Sequence, residues 1–186
     1  INTLQFICIG RLIFYKNIEI ILKAFKIIIK EFPNVKLIIA GGGPHEQSLQ
    51  ELTQELGINE NINFVGFVTH EQKIKLLSES NALLFPSTIE GFGLVILEAF
   101  QQNKPVLTSN IPPMSEIIDN NKTGFLIDPN NAKDWAEKII LLIKEPEISN
   151  KMGKEGNNDL KIKYNQKLFY EEITRMYNNI LLKIKD

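Results

Sequence analysis

Six short apolar runs alternate with segments of helical spacing, and this alternation restricts the fold more than any other feature of the chain. The runs are Leu4 to Ile9, Lys36 to Ala40, Ile62 to Val65, Ala82 to Phe85, Pro105 to Thr108 and Gly124 to Ile127. They are nearly continuous in apolar character, as strands are when both faces of a parallel sheet are covered. Between them, Ile18 to Ile29 has helical periodicity, and Leu49, Leu52 and Leu56 place a second helix that Gly57 caps. Thr69 is the expected N-cap of a helix reaching Ser80, with Glu71 and Gln72 in its first turn. Helices over Gly93 to Gln102 and Ser115 to Asp119 complete the alternation. The expected fold is α/β, a doubly wound, Rossmann-like parallel sheet of about six strands.

C-terminal helices are expected from about residue 131, with a continuous helical pattern from Asp134. Trp135, Ile139, Leu142 and Ile143 form one apolar stripe, and Leu168, Ile173, Met176, Tyr177, Ile180 and Leu181 another. The stretch Gly153 to Asn158 is expected to separate these helices, because glycine disfavours a helix interior. The Lys-rich end of the chain reads as a solvated face. No repeat, linker or second-domain boundary stands out, so residues 1–186 are read as one domain.

The 21 basic and 22 acidic side chains leave a net charge of −1, which argues against a polyanion partner for the whole surface. No run approaches the roughly 20 apolar residues of a membrane span. The single cysteine, Cys8, cannot close an intramolecular disulfide or build a thiolate metal site; it reads as core in a reducing compartment. The chain starts at Ile1 rather than Met, so it is expected to be part of something longer.

Ligands of an open parallel sheet bind at the carboxyl ends of its strands. Of the 21 basic residues only Arg11 and Arg175 are arginines, and Arg11 follows the first strand in Gly10-Arg11-Leu12, with Lys16-Asn17 beyond it. A planar guanidinium fork and a compact ammonium suit a diphosphate; the alternative is a solvated loop with two unrelated charges. After the fourth strand, Glu90-Gly91-Phe92-Gly93-Leu94 opens a helix that carries Glu98. Backbone amides at a helix start attract anions. Helical side chains lean back toward that start, so Glu98 could reach the hydroxyls of a ligand whose phosphates sit there. The alternative makes Glu98 an ordinary helix residue and the glycines turn formers. Gly41-Gly42-Gly43-Pro44 is either a tight strand-to-helix turn or a place where a ligand passes close to backbone. His45 and His70 lack partners at metal spacing and read as structural. No nucleophile elbow, phosphate loop or D-x-D pair is present.

These residues together resemble the C-terminal, nucleotide-sugar-binding half of retaining GT-B glycosyltransferases of the family 4 type. The most specific element is the E-x7-E pattern of Glu90 and Glu98, and the next is Gly10-Arg11-Leu12 with Lys16-Asn17. Supporting pieces include Leu37 to Pro44, Val65 to Val68, Lys104-Pro105-Val106 and Glu116-Ile117-Ile118 followed by Gly124-Phe125-Leu126, all in the family's order. The resemblance implies that Gly10, Arg11 and Lys16 bind the donor diphosphate and that Arg11 and Lys16 stabilise it as it leaves. It implies that Glu90 meets hydroxyls of the transferred sugar, with Arg11, Lys16 and Glu90 forming the catalytic group. Gly91, Phe92, Gly93 and Leu94 would offer backbone amides to the sugar and distal phosphate, Glu98 would bind the ribose, and Gly66, Phe67 and Val68 would seat the nucleobase. The donor would be a UDP-, GDP- or ADP-sugar, with no cofactor and no metal, which fits the missing D-x-D.

The resemblance also implies an acceptor site, for a sugar or a lipid-linked acceptor, on an N-terminal domain that this chain does not contain. The chain alone is then expected to be inactive, and the enzyme to work in the cytoplasm or at the inner face of the membrane. Asn17 and Asn103 stand where many members have glycine, and Ile111-Pro112-Pro113 where many have a glycine pair. Competing readings are a non-catalytic binding module that pairs with another subunit, and a different GT-B enzyme such as a sugar-nucleotide epimerase. A nicotinamide dehydrogenase is disfavoured because no G-x-G-x-x-G follows the first strand.

Overall fold

The computed structural model describes residues 4–164, together with 174 and 175. Strands β1 (Gln5–Ile9), β2 (Lys36–Ala40), β3 (Ile62–Gly66), β4 (Ala82–Phe85), β5 (Val106–Ser109) and β6 (Gly124–Ile127) form one sheet. Their order is β3-β2-β1-β4-β5-β6, and every neighbouring pair is parallel. The expected doubly wound α/β class is therefore the observed one. The helices are α1 (Ile18–Ile28), α2 (Glu46–Glu55), α3 (His70–Glu79), α4 (Leu94–Gln101), α5 (Met114–Ile117), α6 (Ala132–Lys144) and α7 (Pro146–Lys163).

Burial explains the continuous apolar runs. Phe6, Cys8, Leu37, Ile39, Leu84 and Leu107 enter one core with α1 and α6. Their strand neighbours Ile7, Ile38, Leu83, Phe85 and Val106 enter a second core with α4 and α5. Successive residues of a strand point to opposite faces, so covering both faces demands an apolar residue at nearly every position. Cys8 is buried, and burial pushes its thiol pKa well up, which keeps it an inert core side chain.

Local signals fix the ends. Thr69 closes a capping box: its backbone N–H donates to Gln72 Oε1 at 2.8 Å, and the Gln72 N–H donates to Thr69 Oγ1 at 3.2 Å. Gly57 has φ +64° and ends α2 with two bonds, from its own N–H to the Gln54 carbonyl (2.9 Å) and from Ile58 N–H to the Thr53 carbonyl (3.0 Å). Asn17 and Asn103 have φ 52° and 55°, a region that glycine and asparagine tolerate best. Their presence in place of glycine thus leaves the backbone path intact.

One expectation fails. The chain does not break at Gly153 to Asn158, because α7 runs through that stretch without interruption. The break falls at Glu145, ahead of Pro146 at the start of α7. Gly153 and Gly156 are helical because α7 packs very closely on the end of α4. A Cβ at residue 153 would lie 1.8 Å from the Asn103 carbonyl oxygen, and one at 156 would lie 2.3 Å from Phe100 Cδ1. The second apolar stripe, Leu168 to Leu181, and the Lys-rich end lie outside the described residues. No helix among the described residues is long and apolar enough to cross a membrane.

The packing sets a sign. Alanine normally stabilises a helix interior relative to glycine by about 1 kcal/mol. Gly153→Ala is expected to lower stability instead, by about 1–3 kcal/mol, as overpacking does. Asn158→Ala, exposed on the same helix, should raise it by a few tenths of a kcal/mol. Denaturant melts of the two variants check both signs.

Candidate functional site

β1 and β4 are neighbours in the sheet, but the chain leaves β1 toward β2 and leaves β4 toward β5. Their connections diverge, and a crevice opens between them beyond the carboxyl ends. A cleft of about 550 Å³ occupies that place. Ile9, Gly10 and Lys16 line it after β1, Phe85 and residues 90–95 line it after β4, and Glu98 and Lys73 reach it from α4 and α3.

The segment after β1 is held by backbone. Leu12 N–H donates to the Gly42 carbonyl at 3.0 Å, and His45 N–H donates to the Leu12 carbonyl at 2.9 Å. A Cβ on Gly41 would lie 1.9 Å from the Gly10 carbonyl oxygen, and one on Gly43 would lie 2.4 Å from that of Leu12. The glycine triplet therefore serves the chain's own close packing at these two positions. A single-turn 3₁₀ helix, Phe14–Lys16, follows. Asn17 then turns the chain through its left-handed conformation, and its side-chain amide donates to the Pro129 carbonyl at 2.8 Å.

The Tyr15 carbonyl ties this segment to the one after β4. It accepts from Thr88 N–H at 2.8 Å and from the Thr88 hydroxyl at 3.1 Å, with the Ser87 hydroxyl at 3.5 Å. Lys16 and Glu90 are thereby brought together from 74 residues apart, with Lys16 Nζ donating to Glu90 Oε2 at 2.5 Å. The ammonium also lies 5.0 Å from the Phe85 ring centroid. Glu90 Oε1 accepts from Gly91 N–H at 3.1 Å. Gly93 caps α4 at φ +82° and has no side chain to accept from the helix; Ile96 N–H donates to the Gly93 carbonyl at 2.9 Å, and Leu94 and Val95, the first residues of the helix, line the cleft.

Glu98, on the second turn of α4, is held by Lys73 of α3, whose Nζ donates to Glu98 Oε1 at 2.5 Å. Both side chains are largely but not fully buried, at 22% and 23% exposure. Lys73 is the site residue that the sequence reading missed. It is one of two lysines in a polar helix, and only the packing of α3 against α4 shows where it points.

The structure brings Gly10, Lys16, Glu90, Gly91, Phe92, Gly93, Leu94 and Glu98 to one cleft. Arg11 stands beside it, on a small recess shared with Gly10 and Lys16; it is exposed, with Nη2 3.4 Å from the Tyr15 hydroxyl. Gly66, Phe67 and Val68 lie at the end of β3 and are not in the cleft lining. The Phe67 ring lies over Gly42, where a Cβ would come within 2.7 Å of Cε2. Phe92 meets Tyr164, at the end of α7, edge to face with centroids 6.1 Å apart. His45 pairs with Glu19 at 2.9 Å, and neither is in the cleft lining. Among the described residues no three His, Cys, Asp or Glu side chains are grouped to hold a metal ion.

The family model for glycosyl transferases group 1 matches residues 2–159. The chain belongs to that family. A capsular polysaccharide biosynthesis glycosyltransferase, CapM of Staphylococcus aureus, is 32% identical over 93% of this chain and 45% of its own length. The group 1 chain thus spans about half the length of the curated relatives it matches. Anabaena Alr3699/HepE, solved in complex with UDP, superposes with a TM-score of 0.88 at 21% identity over 96% of this chain and 49% of that one. The C-terminal domain of a group 1 protein, LpcC of Francisella tularensis, superposes with a TM-score of 0.79 at 23% identity, covering 88% of this chain and 87% of that domain. Both share the fold, and the second is the C-terminal domain of its own protein.

The two kinds of glycine in the group 1 site should separate in a melting experiment. Gly43→Ala is expected to lower Tm by roughly 4–10 °C, because a Cβ there meets backbone. Gly91→Ala should leave Tm within about 1 °C, since nothing lies within 4 Å of its Cβ position.

Proposed function

We propose that the chain is the donor-binding half of a retaining, hexosyltransferase-like glycosyltransferase that takes a sugar from a UDP-, GDP- or ADP-sugar. The observation that carries this reading is the convergence of Lys16, Glu90, Glu98 and the amide end of α4 in one cleft at the β1/β4 crevice. Arg11 and Lys16 grip the diphosphate, Gly10 allows its approach, and Gly91 to Leu94 add backbone amides to the distal phosphate and sugar. Lys16 can do so while bound to Glu90, because an ammonium has three donors and the ion pair uses one. Glu90 accepts from sugar hydroxyls, Glu98 from ribose hydroxyls, and Gly66 to Val68 take the base.

In the transfer, the bond from the anomeric carbon to the diphosphate oxygen breaks, and a bond to an acceptor oxygen forms on the same face. The acceptor hydroxyl gives up its proton, and the departing diphosphate takes up negative charge. Fixed cations and helix amides placed where that charge develops lower the barrier. In this reading Arg11, Lys16 and α4 carry the stabilisation, with no metal or cofactor in the step. Glu90 orients the sugar and is not assigned as a nucleophile.

The acceptor, a sugar or a lipid-linked one, belongs to the other half of the enzyme, so this chain alone does not turn over. The exposed Phe14, Phe67, Ile89 and Leu94 support that division. All four stand on segments leaving the carboxyl ends of β1, β3 and β4, where a second domain would close over the cleft. The cytoplasm, or the inner face of the membrane, is the compartment that suits a free buried thiol and activated-sugar chemistry.

Calorimetry with UDP, GDP and ADP at millimolar concentration tests the reading. At least one should bind, and Glu98→Ala and Arg11→Met should each weaken it by about tenfold or more, the size of a lost charge-assisted contact. No heat with any of the three, in a folded sample, would sink the donor-site assignment. Robust transfer by this chain alone would overturn the division of labour.

A further inference from the structure

Lys73 is a charged side chain of the cleft that no role above employs. The Thr69 capping box fixes the start of α3, and one turn later Lys73 crosses to α4 and meets Glu98 Oε1 at 2.5 Å. The pair duplicates the other one in the cleft, Lys16 with Glu90, at the same 2.5 Å. Each carboxylate lining the cleft therefore has its own ammonium. The duplication has a physical reason if the ligand is a diphosphate, which two bare carboxylates would repel. It also has a geometric one. A carboxylate held by one oxygen keeps acceptor capacity on the other, in an orientation set by the ion pair; in Glu90 that second oxygen also takes the Gly91 N–H.

We propose that Lys73 is a positioning residue of the donor site: it holds Glu98 by Oε1, leaves Oε2 to accept from a ribose hydroxyl, and cancels a negative charge that would oppose the diphosphate. This rests on the reading of Glu98 as the ribose acceptor. Lys73 acts through Glu98 rather than by touching the nucleotide. Its effect therefore depends on the charge of residue 98.

Calorimetry of the 186-residue chain with UDP and with 2′-deoxy-UDP tests it, using Lys73→Met, Lys73→Arg, Glu98→Gln and the Met–Gln double variant. Met keeps the length of the stem and the helix propensity, and thermal melts confirm that each variant folds. The wild type should prefer UDP to its deoxy analogue. Lys73→Met should weaken UDP about tenfold and narrow that preference, as loss of a half-screened charged contact would. Lys73→Arg should recover most of both. In the Glu98→Gln background, where no charge remains to cancel, Lys73→Met should cost about twofold or less.

Wild-type affinity and wild-type ribose preference in Lys73→Met would overturn the proposal and leave the donor site standing. An equal loss in both backgrounds would also overturn it, because Lys73 would then contact the nucleotide directly. Failure of the wild type to bind UDP, GDP or ADP would remove the donor-site reading and this inference with it.

Discussion

A sheet covered by helices on both faces has nowhere on those faces to put polar chemistry. In this chain most strand residues from Phe6 to Ile127 enter or pack against one of two cores. The six strands carry one charged side chain, Lys36 at the start of β2, so charge is left to the helices and to the segments that leave the strand ends. Along the carboxyl edge, the divergence of the β1 and β4 connections opens a cleft. Lys16, Glu90 and the start of α4 all stand there. The position of the site is thus a consequence of core coverage and strand order before any particular side chain is considered.

Two devices turn that location into a defined geometry. The first is backbone contact. Glycines at 41 and 43 let the turn after β2 press against Gly10 and Leu12, and the Tyr15 carbonyl gathers donors from Ser87 and Thr88. The segments that bring Lys16 and Glu90 are thereby joined without relying on the ion pair itself. The second device is charge pairing. Each cleft carboxylate is matched by a lysine on a different element, so binding groups of both signs coexist in a half-buried space.

Much of this was legible in the sequence because it depends on short-range rules. β2 and β4 fall at the expected residues, Lys36–Ala40 and Ala82–Phe85, since continuous apolar runs between turn residues leave few alternatives. Thr69 and Gly57 mark helix ends through side-chain and φ requirements that one residue can satisfy. Glu90 and Glu98 stood out because carboxylates in an apolar helix start call for a reason. Lys73 did not, since a lysine in a polar helix is ordinary and its partner lies 25 residues away on another helix. Gly153 and Gly156 misled for a related cause. Glycine weakens a helix locally, and only the nearness of Asn103 and Phe100 shows that a side chain could not fit. What depends on one element's own residues was readable; what depends on how two helices approach was not.

That approach also decides which end of α4 is able to adjust. At its carboxyl end, Asn157 donates to the Phe100 carbonyl at 3.0 Å and to the Gln101 carbonyl at 3.3 Å, while Gly153 lies against Asn103. The helix is held there by the Asn157 side chain and by close packing of Gly153 on the Asn103 backbone, so it cannot slide along its axis without forcing α7 away. At its amino end, Gly91 has open space around it and Gly93 carries the φ freedom of a hinge. Glu98 sits between, nearer the clamp. On the proposed reading, the ribose would meet the clamped end of α4 and the phosphates the end with backbone freedom, so a donor would be gauged from its nucleoside outward.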